Sequence, residues 1–414
     1  MPHELDSTLA RLIAPMTPEE FFAEYYNKKT LIVPGSKDKF AGIYTEQSWR
    51  RFPLRDTTAA FDSVVNGTPA SKAIPILPSQ VQDLYEAGLV TVGRVDHLPE
   101  IAALMDGLRA SLQFPSGKNS FVDKVLCFAS KDDIGYQMHW DVHHNFILQI
   151  DGHKHWHYGL TPAVEAPHTG AYVVGPGEVA GVYDGQPVVM PNLAELHEYT
   201  LGPGDFLYMP PGVWHAPRAV GHTLHLSVAM GHRPIFKLIV DVLKEEFGKK
   251  ARWRQGFPLN TGADRTSGAV PEHVKELFEQ CIADLRDSLG KLDPRVFHRE
   301  WSAEVGEHHY RPPAAPPAPV ERQERLRRAT AVPVRYCLAP SEEAQGETDV
   351  YVYAGDRTHL ALPEAARTFV EKFATQTEFV AERALEWDPD FDWPQVQDVL
   401  TQFLARGILV RAAA

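Results

Sequence analysis

The sequence predicts a mainly β core, a sandwich or barrel, followed by added helices and a small second domain. Three observations carry this reading. From Phe121 to Met230 the chain runs as short β-like stretches separated by Gly, Pro and Asp, the spacing expected of all-β architectures. After Pro234 the apolar pattern changes to a helical one. Of the 19 histidines, 12 fall between His139 and His232, so the β region is also where the chemistry should lie.

The elements follow in order. Thr17-Pro18-Glu19-Glu20 opens a helix, with threonine as N-cap, proline first and acids in the first turn. Phe21, Phe22 and Tyr25 supply its apolar side, and a short strand follows at Leu31–Val33. Strands are expected at Phe146–Ile150, His153–Tyr158, Tyr172–Val174, Phe206–Met209 and Thr223–Ala229. Asp151-Gly152, between two β-prone runs, predicts a two-residue hairpin turn because both residues tolerate positive φ. In that hairpin Gln149 opposes Lys154 and Leu148 opposes His155. One face then carries His139, Asp141, Asn145, Ile147, Gln149, Lys154 and Trp156. The other carries Phe146, Leu148 and Ile150 beside His153, His155 and His157.

Helices are expected at Phe236–Phe247 and at Glu272–Leu289, the second stopped by Gly290. Its stripe, from Val274 through Phe278 and Ile282 to Leu289, must be buried on its own core or on a second subunit. Arg311–Pro319 is too rich in proline for a regular helix and reads as an extended linker. Beyond it come strands at Val350–Tyr353 and His359–Leu362, a helix from Pro363, a second near Val380–Leu385 and a third from Pro394 to Gly407. That order resembles a winged helix. From Tyr336 to Ala414 there are 6 Lys/Arg against 14 Asp/Glu; a DNA reader needs a basic face, so direct DNA binding is set aside.

Composition removes other classes. At roughly 100–200 residues per domain, 414 residues allow two to four domains. No window approaches the ~20 apolar residues of a membrane span, and the first residues lack the pattern of a secretory signal. Cys127, Cys281 and Cys337 are widely spaced, which favours neither a disulfide framework nor a thiolate zinc site and suits a reducing cytoplasm. A formal charge of −13 argues against general nucleic-acid affinity and would suit a basic partner.

His139-x-Asp141 puts two metal-capable side chains on one face of an extended chain. The turn and short strand of Gly202–Gly212 lead to a third, His215. Two histidines and one carboxylate leave several positions of a metal's coordination sphere open, the arrangement of non-haem Fe(II) oxygen chemistry; structural zinc favours a closed four-ligand site.

The combined patterns HxDxxxNFxxQxxGxKxW (His139 to Trp156) and PGDxLYxPPGxxH (Pro203 to His215) resemble the JmjC-type cupins, and among them the ribosomal-oxygenase and related protein hydroxylases. The strand His222–Ser227 is similar to the one that follows the third ligand in that group. The resemblance implies a double-stranded β-helix (cupin/JmjC jelly roll) with a helical dimerisation segment and a C-terminal winged-helix domain. The expected division is an oxygenase domain over 1–235 (residues 1–110 supporting, residues 111–235 the core), a helical segment over 236–310, a linker over 311–335 and an acidic winged-helix-like domain over 336–414. It further implies Fe(II) on His139, Asp141 and His215, and Lys154 paired with the distal carboxylate of 2-oxoglutarate. Asn145 and Ser227 would line the co-substrate pocket, with Tyr136 a further contact. The reaction implied couples O2 and oxidative decarboxylation of 2-oxoglutarate to hydroxylation of a side chain in a protein or peptide. A basic, ribosomal protein is the candidate substrate, and a homodimer the expected assembly. Asp141, where the superfamily's demethylases more often have glutamate, favours hydroxylation.

Two alternatives stay open at this point: a hydroxylase of a small peptide or free amino acid, and a non-catalytic metal-binding cupin. Several residues also have two readings. His225 either touches substrate or bonds structurally. His143 sits at the pocket rim, while His144, His153, His155 and His157 lie on the outer face, with a satellite metal site as the lesser reading. Trp140, Trp156 and Trp214 are core or pocket wall.

Overall fold

The computed structural model describes residues 8–51, 54–60, 64–65, 68–69, 73–112, 122–170, 175–231, 234–256, 270–304, 315–329, 334–353 and 359–412. The chain divides into two compact units, Met1–His232 and Arg233–Ala414.

The first unit begins with helices α1 (Thr8–Ile13), α2 (Pro18–Glu24) and α3 (Glu46–Arg51), and continues with α4 (Val81–Glu86) and α5 (Pro99–Leu112). The expected cap of α2 is present: the Glu20 amide donates to Thr17 Oγ1 at 3.2 Å and the Thr17 amide to the Glu20 carboxylate at 2.9 Å, a reciprocal capping box. Its strands are β1 (Leu31–Val33), β2 (Arg55–Ala60), β3 (Val64–Val65), β4 (Thr68–Pro69), β5 (Ile74–Pro75), β6 (Val90–Arg94), β7 (Val122–Ser130), β8 (His144–Tyr158), β9 (Val179–Tyr183), β10 (Gln186–Val189), β11 (His197–Leu201), β12 (Phe206–Met209) and β13 (His215–Gly231). The main sheet runs β1-β12-β8-β13-β7-β6-β2-β5, with β11 also on β8. The expected strand Tyr172–Val174 lies outside the described residues.

Strand β8 organises this sheet. Along its whole length it pairs with β13; its first half also pairs with β12 and its second half with β11. Alternation along the strand separates two interiors. Phe146 and Leu148 join the core built on Leu9, Phe21, Leu104 and Leu108 of the helices. Ile147 and Trp156 point the other way, into a cluster with Leu201, Leu207, Met209 and Val213.

The hairpin expected at Asp151-Gly152 does not form; β8 passes through it unbroken. A two-residue type I′ turn needs positive φ at both positions. The dipeptide that meets this is Asp184-Gly185 (φ 48° and 77°), which joins β9 to β10. At Asp151-Gly152 the long partner β13 decides the geometry instead. His225 pairs with Gln149 and Leu224 with Asp151, so Ile150 is one extra residue, a β-bulge. On β13, Gly221 and His222 form a matching irregularity between Val220 and Thr223. A one-residue bulge reverses the alternation, so Lys154 and Trp156 share the face of Asn145, Ile147 and Gln149. The expected grouping of side chains is therefore right, although the turn that was to produce it is absent.

The second unit has helices α6 (Ile235–Gly248), α7 (Ala251–Arg254), α8 (Glu272–Lys291), α9 (Arg295–Glu304), α10 (Arg367–Phe373) and α11 (Trp393–Arg406). Its strands are β14 (Arg325–Arg328), β15 (Arg335–Pro340), β16 (Thr348–Tyr353), β17 (His359–Pro363), β18 (Glu378–Val380) and β19 (Leu409–Arg411). They form two three-stranded sheets, β18-β14-β19 and β15-β16-β17. Phe369, Phe373, Leu400 and Phe403 are fully buried among Val350, Val352 and Leu326. Three expectations change. Helix α8 runs through Gly290 to Lys291. The helix near Val380–Leu385 is a 3₁₀ stretch, Ala381–Glu386, following strand β18. Arg325–Arg328, inside the segment read as linker, is a strand whose single apolar residue, Leu326, is buried; of the proline-rich run, 311–314 lie outside the described residues.

Gly152 and Gly221 test the bulge. Both have left-handed φ (62° and 64°), but a Cβ on Gly152 would collide with the His222 carbonyl while one on Gly221 meets open space. Gly221→Ala should cost only the left-handed strain, about 1–2 kcal/mol, and Gly152→Ala clearly more, read as urea midpoints. Equal losses would show that this contact does not hold the register.

Candidate active site

His139, Asp141 and His215 converge, each offering one donor atom, and all three atoms lie within 4.8 Å of one another. Backbone pairing brings them together. His139 and His215 face each other across an isolated antiparallel bridge, amide to carbonyl at 3.0 and 2.8 Å. Asp141 follows at the same parity, its Oδ2 3.5 Å from His215 Nε2.

Both imidazoles are held in one tautomer. His139 Nδ1 donates to the Gln137 carbonyl at 2.6 Å and His215 Nδ1 to the Val213 carbonyl at 2.9 Å. A carbonyl can only accept, so each ring carries its proton on Nδ1 and leaves the Nε2 lone pair for a metal. Burial, with His215 beside it, lowers the His139 pKa to about 4, so the ring is neutral at physiological pH. Burial alone would raise the Asp141 pKa, but the imidazoles of His143, His215 and His139 outweigh it and hold the carboxyl well below its ordinary range.

A hydrogen-bond relay orients Asp141. Ser227 Oγ donates to Asn145 Oδ1 at 3.0 Å, and Asn145 Nδ2 donates to Asp141 Oδ2 at 2.6 Å. The relay crosses between β8 and β13, where Ile147 is in register with Ser227 and Asn145 with Ala229. His143 Nε2 lies 4.0 Å from the same carboxylate oxygen. Tyr136 lies between His139 and Phe128, ring centroids 6.2 and 5.9 Å away, and burial pushes its phenol up to about 12.

Lys154 is 1% exposed. Its Nζ sits 5.8 Å from the Trp156 ring centre and 5.9 Å from that of Phe128. Trp156 also lies 6.0 Å from the His215 ring, so it spans from the lysine to the triad. No hydrogen bond or ion pair is found for Lys154 among the described residues, and burial, then Arg218, lowers its pKa to about 7. Around it Trp156 Nε1 and His225 Nδ1 are buried with no partner among the described residues. His225 stacks on Phe128 at 4.9 Å and is held well below its usual range by burial and by Lys154. An unpaired buried cation beside unfilled polar atoms is costly unless an anion completes it. The donor set therefore fits a small dicarboxylate at this end and a divalent metal with an open face at the other.

Other motif residues prove to be structural. Asp205 accepts from the Gly35 and Gly202 amides at 2.9 Å and closes the turn before β12. His144 is buried, stacked on Tyr26 at 4.7 Å, with Nδ1 2.9 Å from the Tyr208 hydroxyl. Trp140 and Trp214 pack with Met138 and Met190 in a small core of their own. Phe128 was not singled out from the sequence; it belongs to an apolar strand with no motif, and only the register of β7 with His225 reveals it.

The JmjC domain family matches residues 113–237. The YxbC protein of Bacillus subtilis (strain 168) is 26% identical over 322 residues, covering 72% of this chain and 92% of that one. Ribosomal oxygenase 1 of Gallus gallus is 24% identical over 301 residues, 66% of this chain, and the match spans about half (47%) of that longer protein. The solved structure of the ribosomal oxygenase YcfD from Escherichia coli in complex with cobalt and 2-oxoglutarate superposes with a TM-score of 0.40 at 17% identity, over 96% of this chain and 99% of that one.

Lys154→Met should stabilise the protein in the absence of ligand, with a defined pH dependence. Between pH about 7 and 10.5 the unfolded chain keeps a proton on Lys154 that the folded chain gives up. Wild-type stability therefore rises with pH across that window. The variant's advantage should be largest below pH about 7 and fade towards the upper limit, measured by urea unfolding. A constant gap would mean that Lys154 carries no buried-charge penalty. The stretch that matches the JmjC domain family, residues 113–237, contains the whole triad together with Asn145, Lys154 and Ser227.

Proposed function

We propose that this protein is an Fe(II)- and 2-oxoglutarate-dependent oxygenase that hydroxylates an amino-acid side chain in a protein or peptide. The observation that carries the reading is Lys154, a buried lysine with no hydrogen bond or ion pair among the described residues, set on the same inner face as an open two-histidine, one-carboxylate triad. His139, Asp141 and His215 would hold the iron, and Lys154 the distal carboxylate of 2-oxoglutarate. When bound, iron with O2 and 2-oxoglutarate supplies oxidative decarboxylation to succinate and transfer of one oxygen atom to a C–H bond.

The chain's own residues supply position and environment. The Nδ1 tethers aim both imidazoles, and Asn145, held by Ser227, fixes the Asp141 carboxylate. Phe128, Trp156 and His225 wall the lysine off from water, where its attraction for a carboxylate is strongest. Tyr136, neutral at physiological pH, offers a hydroxyl next to His139. A purely metal-binding cupin has no use for Lys154, which favours the enzyme over the binding module.

A protein substrate is supported by the ribosomal oxygenase relative and by charge. From His155 to Pro217 there is no Lys or Arg against six Asp/Glu, a composition that attracts a basic partner such as a ribosomal protein. Helices α6 and α8 leave Phe236, Phe278, Ile282 and Leu289 half-exposed, and we assign this face to a homodimer contact. The β15–β19 region with α10 and α11 we read as a winged-helix-like module used for packing rather than for DNA. Three free cysteines accord with a reducing cytoplasm; no helix among the described residues is long and apolar enough to cross a membrane.

The test is succinate formation from 2-oxoglutarate with Fe(II) and ascorbate. His139→Ala should reduce turnover to background. Lys154→Ala should raise the 2-oxoglutarate KM on the order of a hundredfold, the cost of an unanswered buried carboxylate. Turnover surviving His139→Ala, or no succinate from folded, iron-loaded wild type with ribosomal extract, would overturn the assignment. A mass gain of one oxygen in a ribosomal digest, rather than in a pool of small peptides, would identify the substrate class.

A further inference from the structure

The reverse side of the strand that carries Lys154 holds a second convergent ligand set. His155 and His157 alternate with Lys154, Trp156 and Tyr158 on β8, so their rings project to the opposite face. Strand β11 runs antiparallel beside them, with Glu198 in register with His157 and Thr200 with His155. His157 Nε2 lies 3.1 Å from Glu198 Oε1 and His155 Nε2 3.9 Å from Glu198 Oε2. The two rings are 4.8 Å apart and nearly perpendicular. One donor atom from each of the three residues falls within 4.8 Å of the others.

We propose that His155, His157 and Glu198 form a second metal site, distinct from the JmjC triad, that binds a zinc-class divalent ion. Imidazole with carboxylate is the chemistry that selects Zn2+, Ni2+ or Cu2+ over Ca2+ and Mg2+. The ligands sit on paired strands, whose backbones hold them in place without a loop. His155 Nδ1 lies 2.9 Å from Thr200 Oγ1, a partner that orients the ring and presents Nε2 to Glu198, as outer-shell groups do in metal sites. All three side chains are partly open, Glu198 at 58%, so an ion can enter from solvent and complete its coordination with water. Structurally, the ion would clasp β11 to β8 at the point where the chain returns from Gly159–Leu196. The reading is independent of the oxygenase assignment.

Zn2+ binding, titrated against a chromogenic chelator with far-UV circular dichroism to verify folding, tests it. Wild type should take up two equivalents. His139→Ala/His215→Ala should keep one, and His155→Ala/His157→Ala in the otherwise wild-type chain should also keep one. Thr200→Val should weaken the site that survives in the triad variant by about tenfold or more. A triad variant that binds no Zn2+ at micromolar concentrations, or one whose remaining equivalent is indifferent to loss of His155 and His157, would overturn the proposal. Should the triad variant fail to fold, the fall from two equivalents to one on removing His155 and His157 from wild type decides the matter, and an unchanged count refutes the site.

Discussion

The pairing of β8 with β13 is the constraint on which everything else rests. These two strands carry Asn145, Lys154, His215 and Ser227, and their ladder also sets where His139 and Asp141 arrive, through the bridge that ties His139 to His215. The ladder is not uniform. The single extra residue at Ile150 decides which side chains face inward beyond it. With unbroken alternation, Lys154 would turn towards the opposite face, and His153, His155 and His157 would face inward instead. Strand order alone does not describe this sheet, because the side on which Lys154 lies depends on one irregularity within one strand.

Electrostatics divides the inner face of the sheet into two ends. The triad end is prepared for a cation by the neutral His139 imidazole and a carboxylate held ionised by its surroundings. The far end holds a lysine in apolar surroundings, poised to answer an anion. Trp156 separates them, 6.0 Å from one and 5.8 Å from the other. The lysine end is not comfortable alone, since it places the unpartnered Trp156 Nε1 and His225 Nδ1 beside Lys154 in a dry interior, and the folded sheet must tolerate that cost. The large apolar core between β8 and the N-terminal helices, with Phe146, Leu148 and Phe21 fully buried, is what permits it.

Much of this was legible in the sequence. The triad could be read because His139-x-Asp141 is local and His215 follows a recognisable turn. Period-two alternation separated Asn145, Ile147 and Gln149 from Phe146 and Leu148, and the packed cores obey the same division. What could not be read is what long-range pairing decides. Asp151-Gly152 has the composition of a hairpin turn, and only the presence of β13 alongside makes it a bulge. Leu326 is one apolar residue among arginines, so β14 had no periodic signal; its partners β18 and β19 lie far along the chain, at Glu378–Val380 and Leu409–Arg411. Phe128 enters the pocket by register alone. His144 was placed correctly on the reverse face, but its burial against Tyr26 depends on the turn after α2, distant in sequence.

The segment between the two central strands has a consequence for how such a protein can diversify. Gly159–Leu196 leaves the sheet after β8 and returns through β11, and the register of β8 with β13 makes no use of it. Closing a longer loop costs little, about 0.6 kcal/mol for each doubling of its length. Insertions, deletions and whole new hairpins can therefore accumulate there while the strand ladder stays intact. Descendants of one ancestral chain could acquire different mouths over an unaltered interior, so selectivity and chemistry can evolve at different rates.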